Sequence, residues 1–105
     1  MEFLVEIDVN WPPDGDPERR AQLIAAEAKR AGELAEAGTI KRLWRRPGRW
    51  ANFGLWQAAD ATELHQAISS LPFFPWLKVT VHPLGEHPSD PGRLHSSTQS
   101  ADKRR

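Results

Sequence analysis

The sequence predicts an α+β sandwich whose elements run strand, helix, strand, strand, helix, strand. Three observations predict it. Residues 2–10 and 76–84 alternate apolar and polar side chains, as strands with one buried face do. Residues 16–37 and 60–71 pair capping signals with apolar residues at helical spacing. Between these helices a Pro-Gly pair at 47–48 separates two short strand-like runs, which reads as a hairpin.

The first strand carries Phe3, Val5, Ile7 and Val9 on one face and Glu2, Glu6, Asp8 and Asn10 on the other. Trp11-Pro12-Pro13-Asp14-Gly15 breaks it. Asp16 is placed to cap the first helix, with Pro17 at its first position, Glu18 in its first turn and Gly38 at its end. Thr39–Arg46 and Trp50–Gln57 form the hairpin. Asp60-Ala61-Thr62-Glu63 opens the second helix, whose inner stripe is Leu64, Ala67, Ile68 and Leu71, and Pro72 ends it. Trp76–Leu84 is the last strand, with Leu77, Val79 and Val81 opposite Trp76, Lys78, Thr80 and His82. Two right-handed crossovers then give a ferredoxin-like arrangement: a four-stranded antiparallel sheet with both helices on one face. The domain is expected over 1–88. Residues 89–105, polar and without periodicity, read as an arm or disordered tail.

Composition narrows the function classes. The chain has 105 residues, with 14 Lys plus Arg against 14 Asp plus Glu. Zero net charge argues against a nucleic-acid partner and is compatible with self-association. The absence of cysteine excludes disulfides, thiolate metal sites and a cysteine nucleophile. The histidines lack zinc spacing, so no metal is expected. No apolar run approaches a membrane span and the N-terminus is no signal peptide, so a cytoplasmic location is expected. Five Trp and four Phe stand beside no Tyr, so no phenol can serve acid–base chemistry.

The sheet face without helices is expected to carry Glu6, Asp8, Lys78, Thr80 and His82. On the third strand Trp50, Asn52, Gly54 and Trp56 are assigned to it, because Ala51, Phe53 and Leu55 better suit the helix side. At least three tryptophans would then project from that face, calling for a second subunit or a ligand to cover them. The alternative is shielding by long polar neighbours and the tail.

Glu27 lies in the middle of the first helix's apolar stripe, formed by Leu23, Ile24, Ala31 and Leu34. A carboxylate there loses hydration, which raises its pKa and suits it to moving protons near neutrality. It could equally be a core carboxylate paired with Arg20, Arg42 or another cation. Arg42, Arg45, Arg46 and Arg49 gather at the hairpin, either as a solvated tip or as a holder of an organic anion.

The elements Leu43-Trp44-Arg45, Gly48, Ala51-Asn52, Leu64-His65, Leu71-Pro72, Phe74-Pro75 and His87-Pro88-Ser89, in this order and spacing, resemble the muconolactone delta-isomerase family. The resemblance covers roughly the first ninety residues and includes Glu27. It implies the same ferredoxin-like fold and a large homo-oligomer, a decamer, with active sites formed between subunits. It also implies cofactor-independent movement of a carbon–carbon double bond in a small unsaturated lactone, in the catechol branch of the β-ketoadipate pathway. Glu27 would remove a proton beside the lactone oxygen and return one two carbons away. Arg45 would hold the substrate carboxylate and Asn52 the lactone carbonyl, with Trp50, Trp56 and Trp76 walling the substrate. Where this chain has Arg49-Trp50, Trp56-Gln57 and Trp76-Leu77, the family usually has His-Tyr, Phe-Asp and Tyr-Met. Exchanging phenols for indoles removes hydroxyl donors and enlarges the apolar wall. Two other readings stay open on the same scaffold. One is a cyclase, dehydratase or isomerase for a bulkier aromatic or polyketide-like substrate, and the other is a non-catalytic ligand-binding oligomer.

Overall fold

The structure, a computed structural model, describes residues 1–92. Its elements are β1 (Glu2–Val9), α1 (Pro17–Glu36), β2 (Ile40–Arg45), β3 (Ala51–Gln57), α2 (Ala61–Ser69) and β4 (Leu77–Leu84), with a single 3-10 turn at Phe74–Trp76. The strands pair antiparallel in the order β2-β3-β1-β4. This is the ferredoxin-like topology expected from the element order. Of the arm expected over 89–105, residues 93–105 lie outside the described residues.

Local chemistry sets the helix ends. The Asp16 carboxylate accepts from the Glu18 N–H at 3.2 Å, and Pro17 opens α1. At the other end Gly38 takes φ +83°. Its N–H donates to the Ala35 carbonyl while that of Thr39 donates to Leu34, a Schellman closure that L side chains disfavour. Asp60 accepts from the Glu63 N–H at 2.9 Å, and the Glu63 carboxylate accepts in turn from Ala59 at 3.0 Å. α2 stops at Ser69, and Trp76 belongs to the 3-10 turn instead of the last strand.

One core lies between sheet and helices: Phe3, Val5 and Ile7 of β1, Ile40, Trp56, Leu34 of α1, and Leu64 and Ile68 of α2. Burying each large apolar side chain contributes roughly 1.5–3 kcal/mol. The helices share this load unequally. Within α1 only Leu34 is buried, and Ile24, expected on the inner stripe, is 46% exposed. α1 is therefore a loose lid over its half of the sheet.

The face assignment of β3 is overturned. Residues directly opposite in an antiparallel pair share a face, and Phe3, Val5 and Ile7 stand opposite Trp56, Gly54 and Asn52. Trp50 follows the same parity, and its carbonyl accepts from the Val9 N–H. Trp50, Asn52, Gly54 and Trp56 therefore occupy the helix side, while Ala51, Phe53 and Leu55 occupy the open face. Trp76 packs on the helix side too, against Trp11 at 4.9 Å. The tryptophan that does share the open face is Trp44, opposite Phe53 and 42% exposed. The cause is local: alternation in β3 favours Ala51, Phe53 and Leu55 for the core, but one large side chain at the other parity outweighs it. Burial of the Trp56 indole decides the face. A Cβ on Gly54 would meet Trp56 Nε1 at 2.5 Å, so the indole folds back over this glycine.

Candidate active site

Glu27 reaches inward from the middle of α1 and is partly buried. Its carboxylate accepts one hydrogen bond, from the Phe73 N–H at 3.0 Å. No cation pairs with it among the described residues. The two expected structural partners are elsewhere: Arg20 lines a cleft beside Trp50, and Arg42 stacks over Trp44 at 4.9 Å. Burial pushes the Glu27 pKa above the ordinary glutamate value, and the Phe73 N–H only partly opposes this. A half-dehydrated carboxylate without a counter-ion is a competent base, and a poor structural ion.

Phe73 ties that carboxylate to an aromatic cluster. Its ring is 2% exposed and lies 5.3 Å from Trp50, 6.0 Å from Trp11 and 6.2 Å from Trp76, all near edge-to-face. Pro72 and the 3-10 turn after it hold this segment, and the Trp76 N–H donates to the Phe73 carbonyl at 2.8 Å.

Two further polar groups on this side of the sheet, Asn52 Oδ1 and Trp56 Nε1, are buried without a partner among the described residues. Leaving a buried donor or acceptor unpaired costs about 1–3 kcal/mol, so a fold retains such groups where something else uses them. The indole N–H can only donate, whereas the amide presents either end on rotation. Over Gly54 the Trp56 nitrogen stands two residues from Asn52, roughly 7 Å along the strand. Arg45 lies opposite Asn52 across β2 and β3, on the same face, and no ion pair holds it among the described residues.

All the expected site residues thus come to one side of the sheet: Glu27, Arg45, Trp50, Asn52 and Trp56, with Trp76 at its end. The other hairpin arginines do not join them. Arg46 and Arg49 bind Asp8 on the open face, at 3.3 and 2.6 Å. The Phe73 N–H and Trp11 were not foreseen. A backbone donor leaves no sequence signal, but Gly54 inside a strand was a legible sign of close approach.

Residues 1–90 match the muconolactone delta-isomerase family. The chain is 39% identical to muconolactone delta-isomerase 2 of Acinetobacter lwoffii over 89 residues, 85% of this chain and 93% of that one. Identity to the muconolactone delta-isomerase of Rhodococcus opacus is 36%, over 84% of this chain and 95% of that one. The chain belongs to the muconolactone delta-isomerase family. A crystal structure of a muconolactone isomerase superposes with a TM-score of 0.81 at 36% identity, covering 87% of this chain and 95% of that chain. A dehydrochlorinase from Burkholderia phenoliruptrix shares the fold alone, at a TM-score of 0.58 and 19% identity. No helix among the described residues of this family member is long and apolar enough to cross a membrane.

Proposed function

We propose that the chain is a cofactor-independent, cytoplasmic isomerase that moves the double bond of a small unsaturated lactone, of the muconolactone to 3-oxoadipate enol-lactone type. The observation that carries this reading is the Glu27 carboxylate: partly buried, without a cation, and held by a single backbone N–H. Removing the proton beside the ring oxygen leaves an electron pair that spreads through the double bond onto the lactone carbonyl. Returning the proton to the carbon next to that carbonyl completes the shift. Atoms and charge balance with one carboxylate and no redox partner. A raised pKa makes Glu27 the stronger base and lets the same group return the proton.

The enolate oxygen needs donors where its charge develops. The Asn52 NH2, brought round by rotation of the amide, and the Trp56 N–H serve that role, and the unpaired Trp56 Nε1 supports it. Arg45 holds the substrate carboxylate as a bidentate fork, and Trp50 and Trp76 wall the apolar end. The working unit is 1–88, with 89–105 as a polar arm.

This reading includes self-association to at least a dimer, with the decamer as the assembly the resemblance implies. Its supports are exposed apolar side chains, Leu43 at 50%, Trp44 at 42% and Val81 at 40%, and an apolar groove of about 410 Å³ between α2 and β4. Sedimentation showing only a monomer would remove that part.

The direct test follows muconolactone by NMR in deuterated buffer. Isomerisation with deuterium entering the carbon next to the carbonyl supports the reading. A well-folded protein that neither isomerises the lactone nor exchanges its protons overturns it.

A further inference from the structure

We propose that the cleft beside this site, between the β1–α1 turn and Trp50, is a binding subsite for an aromatic carboxylate. Trp11, Pro12, Pro13, Trp50 and Arg20 are among the residues enclosing its volume of about 270 Å³. That is just below the range of about 300–1,000 Å³ usual for ligand pockets, and suits a single ring with a short acidic arm.

Its walls are flat and fixed in advance. Trp11 rests on Trp76 at 4.9 Å and on Phe73 at 6.0 Å, and Trp50 rests on Phe73 at 5.3 Å. Gly15 completes the setting. Among the glycines only Gly38 and Gly48 have positive φ, so the Gly15 backbone does not require glycine. A Cβ there would meet Trp11 Nε1 at 2.5 Å. The missing side chain is used by the indole, which lies flat against the turn. Stiff indoles and prolines offer a planar ligand stacking area at little cost in conformational entropy.

Arg20 is the charged residue among those lining the cleft. Asp16 is occupied at the helix cap, and Arg19 lies 5.8 Å from the Trp76 ring. Arg20 has no ion pair or hydrogen-bond partner among the described residues. An uncompensated guanidinium beside an aromatic wall selects a ring that carries a carboxylate over a neutral ring or an aliphatic acid. Trp50 also touches Phe73, whose N–H holds Glu27, so a ligand here borders the proton-transfer site. The neighbourhood of the cleft to catalysis rests on the function proposed above, whereas binding itself does not.

Phenylacetate is the probe, with cyclohexylacetate and benzyl alcohol as controls. Each is titrated into the full chain by tryptophan fluorescence and calorimetry, beside a separate muconolactone assay. The expected result is saturable phenylacetate binding in the millimolar range, several-fold weaker for cyclohexylacetate and at least about tenfold weaker for benzyl alcohol. Arg20→Gln, at an exposed helix position that leaves folding intact, weakens phenylacetate at least about tenfold. Trp11→Leu, with its fold checked by circular dichroism, abolishes the preference for the aromatic acid. No saturable binding, or binding indifferent to Arg20→Gln, overturns the subsite. Binding without isomerase activity leaves the subsite standing and removes the proposed function, while isomerase activity without binding does the reverse.

Discussion

The two faces of this one sheet treat their polar groups in opposite ways. On the open face a ladder of charges runs from strand to strand. His82 meets Glu6 at 2.5 Å, and Arg46 reaches both Glu6 at 3.9 Å and Asp8 at 3.3 Å. Arg49 closes on Asp8 at 2.6 Å, and the Arg46 guanidinium covers the Phe53 ring at 4.8 Å. On the helix side, among the described residues, Glu27 has no cation, and Asn52 and Trp56 each leave a buried polar atom unpaired. The polar groups of the open face are satisfied within the chain, while those of the helix side are left for something else to satisfy. Partner count therefore separates the two faces better than burial or charge does.

Substituting one carboxylate on each face gives the largest contrast. Glu27→Gln keeps the acceptor for the Phe73 N–H and removes the base, so turnover of muconolactone should fall by about 10²–10⁴-fold with the fold intact. Asp8→Asn, across the sheet, should leave the rate within about twofold and cost roughly 0.2–1 kcal/mol, less at high salt. Steady-state rates and thermal melts of the two variants check this, and equal losses of rate would erase the distinction between the faces.

Two glycines sharpen it further through packing. Gly54→Ala pushes a methyl group into the folded-back Trp56 indole and against Leu43, where a Cβ would meet Cδ2 at 3.0 Å. Overpacking of this kind costs typically 1–3 kcal/mol, and shifting the indole should lower kcat/KM as well. Gly32 lies in α1 with nothing within 4 Å of a Cβ. Gly32→Ala should therefore stabilise by roughly 0.5–1 kcal/mol, with activity unchanged. Denaturant titrations would show whether the two shifts have opposite signs.

Most of the fold was legible, because capping residues, the hairpin's Pro-Gly and the alternation in β1 and β4 each act locally. Glu27 was legible for the same reason: a carboxylate inside an apolar stripe breaks a helical period. The facing of β3 was not. In Ala51-Asn52-Phe53-Gly54-Leu55-Trp56 one parity holds three apolar side chains and the other holds Asn, Gly and Trp. Alternation favours the first set for the core, yet the second set is inside. Burial of the large Trp56 indole inverted the pattern, carrying Asn52 inward with it and turning Phe53 and Leu55 to the open face. The face came out wrong, yet Glu27 and the hairpin residues, picked out by separate signals, still share one side of the sheet. The Phe73 N–H could not be read at all, since backbone donors carry no residue code.

The subtlest test uses the pH dependence of stability to ask whether Glu27 is strained by the fold. Its pKa is raised in the folded chain, so between the ordinary glutamate value and the raised one the folded state binds more protons than the unfolded state. Stability must then fall as pH rises through that window, and the penalty stays constant above it. Glu27→Gln cannot ionise and escapes the penalty. The melting temperature of the variant minus that of the parent should thus rise with pH across the window and level off above it. Common terms such as the open-face ladder cancel in the difference. A difference that falls with pH would mean that the ionised carboxylate is stabilised by the fold, and Glu27 would then belong with Asp8 as a structural group.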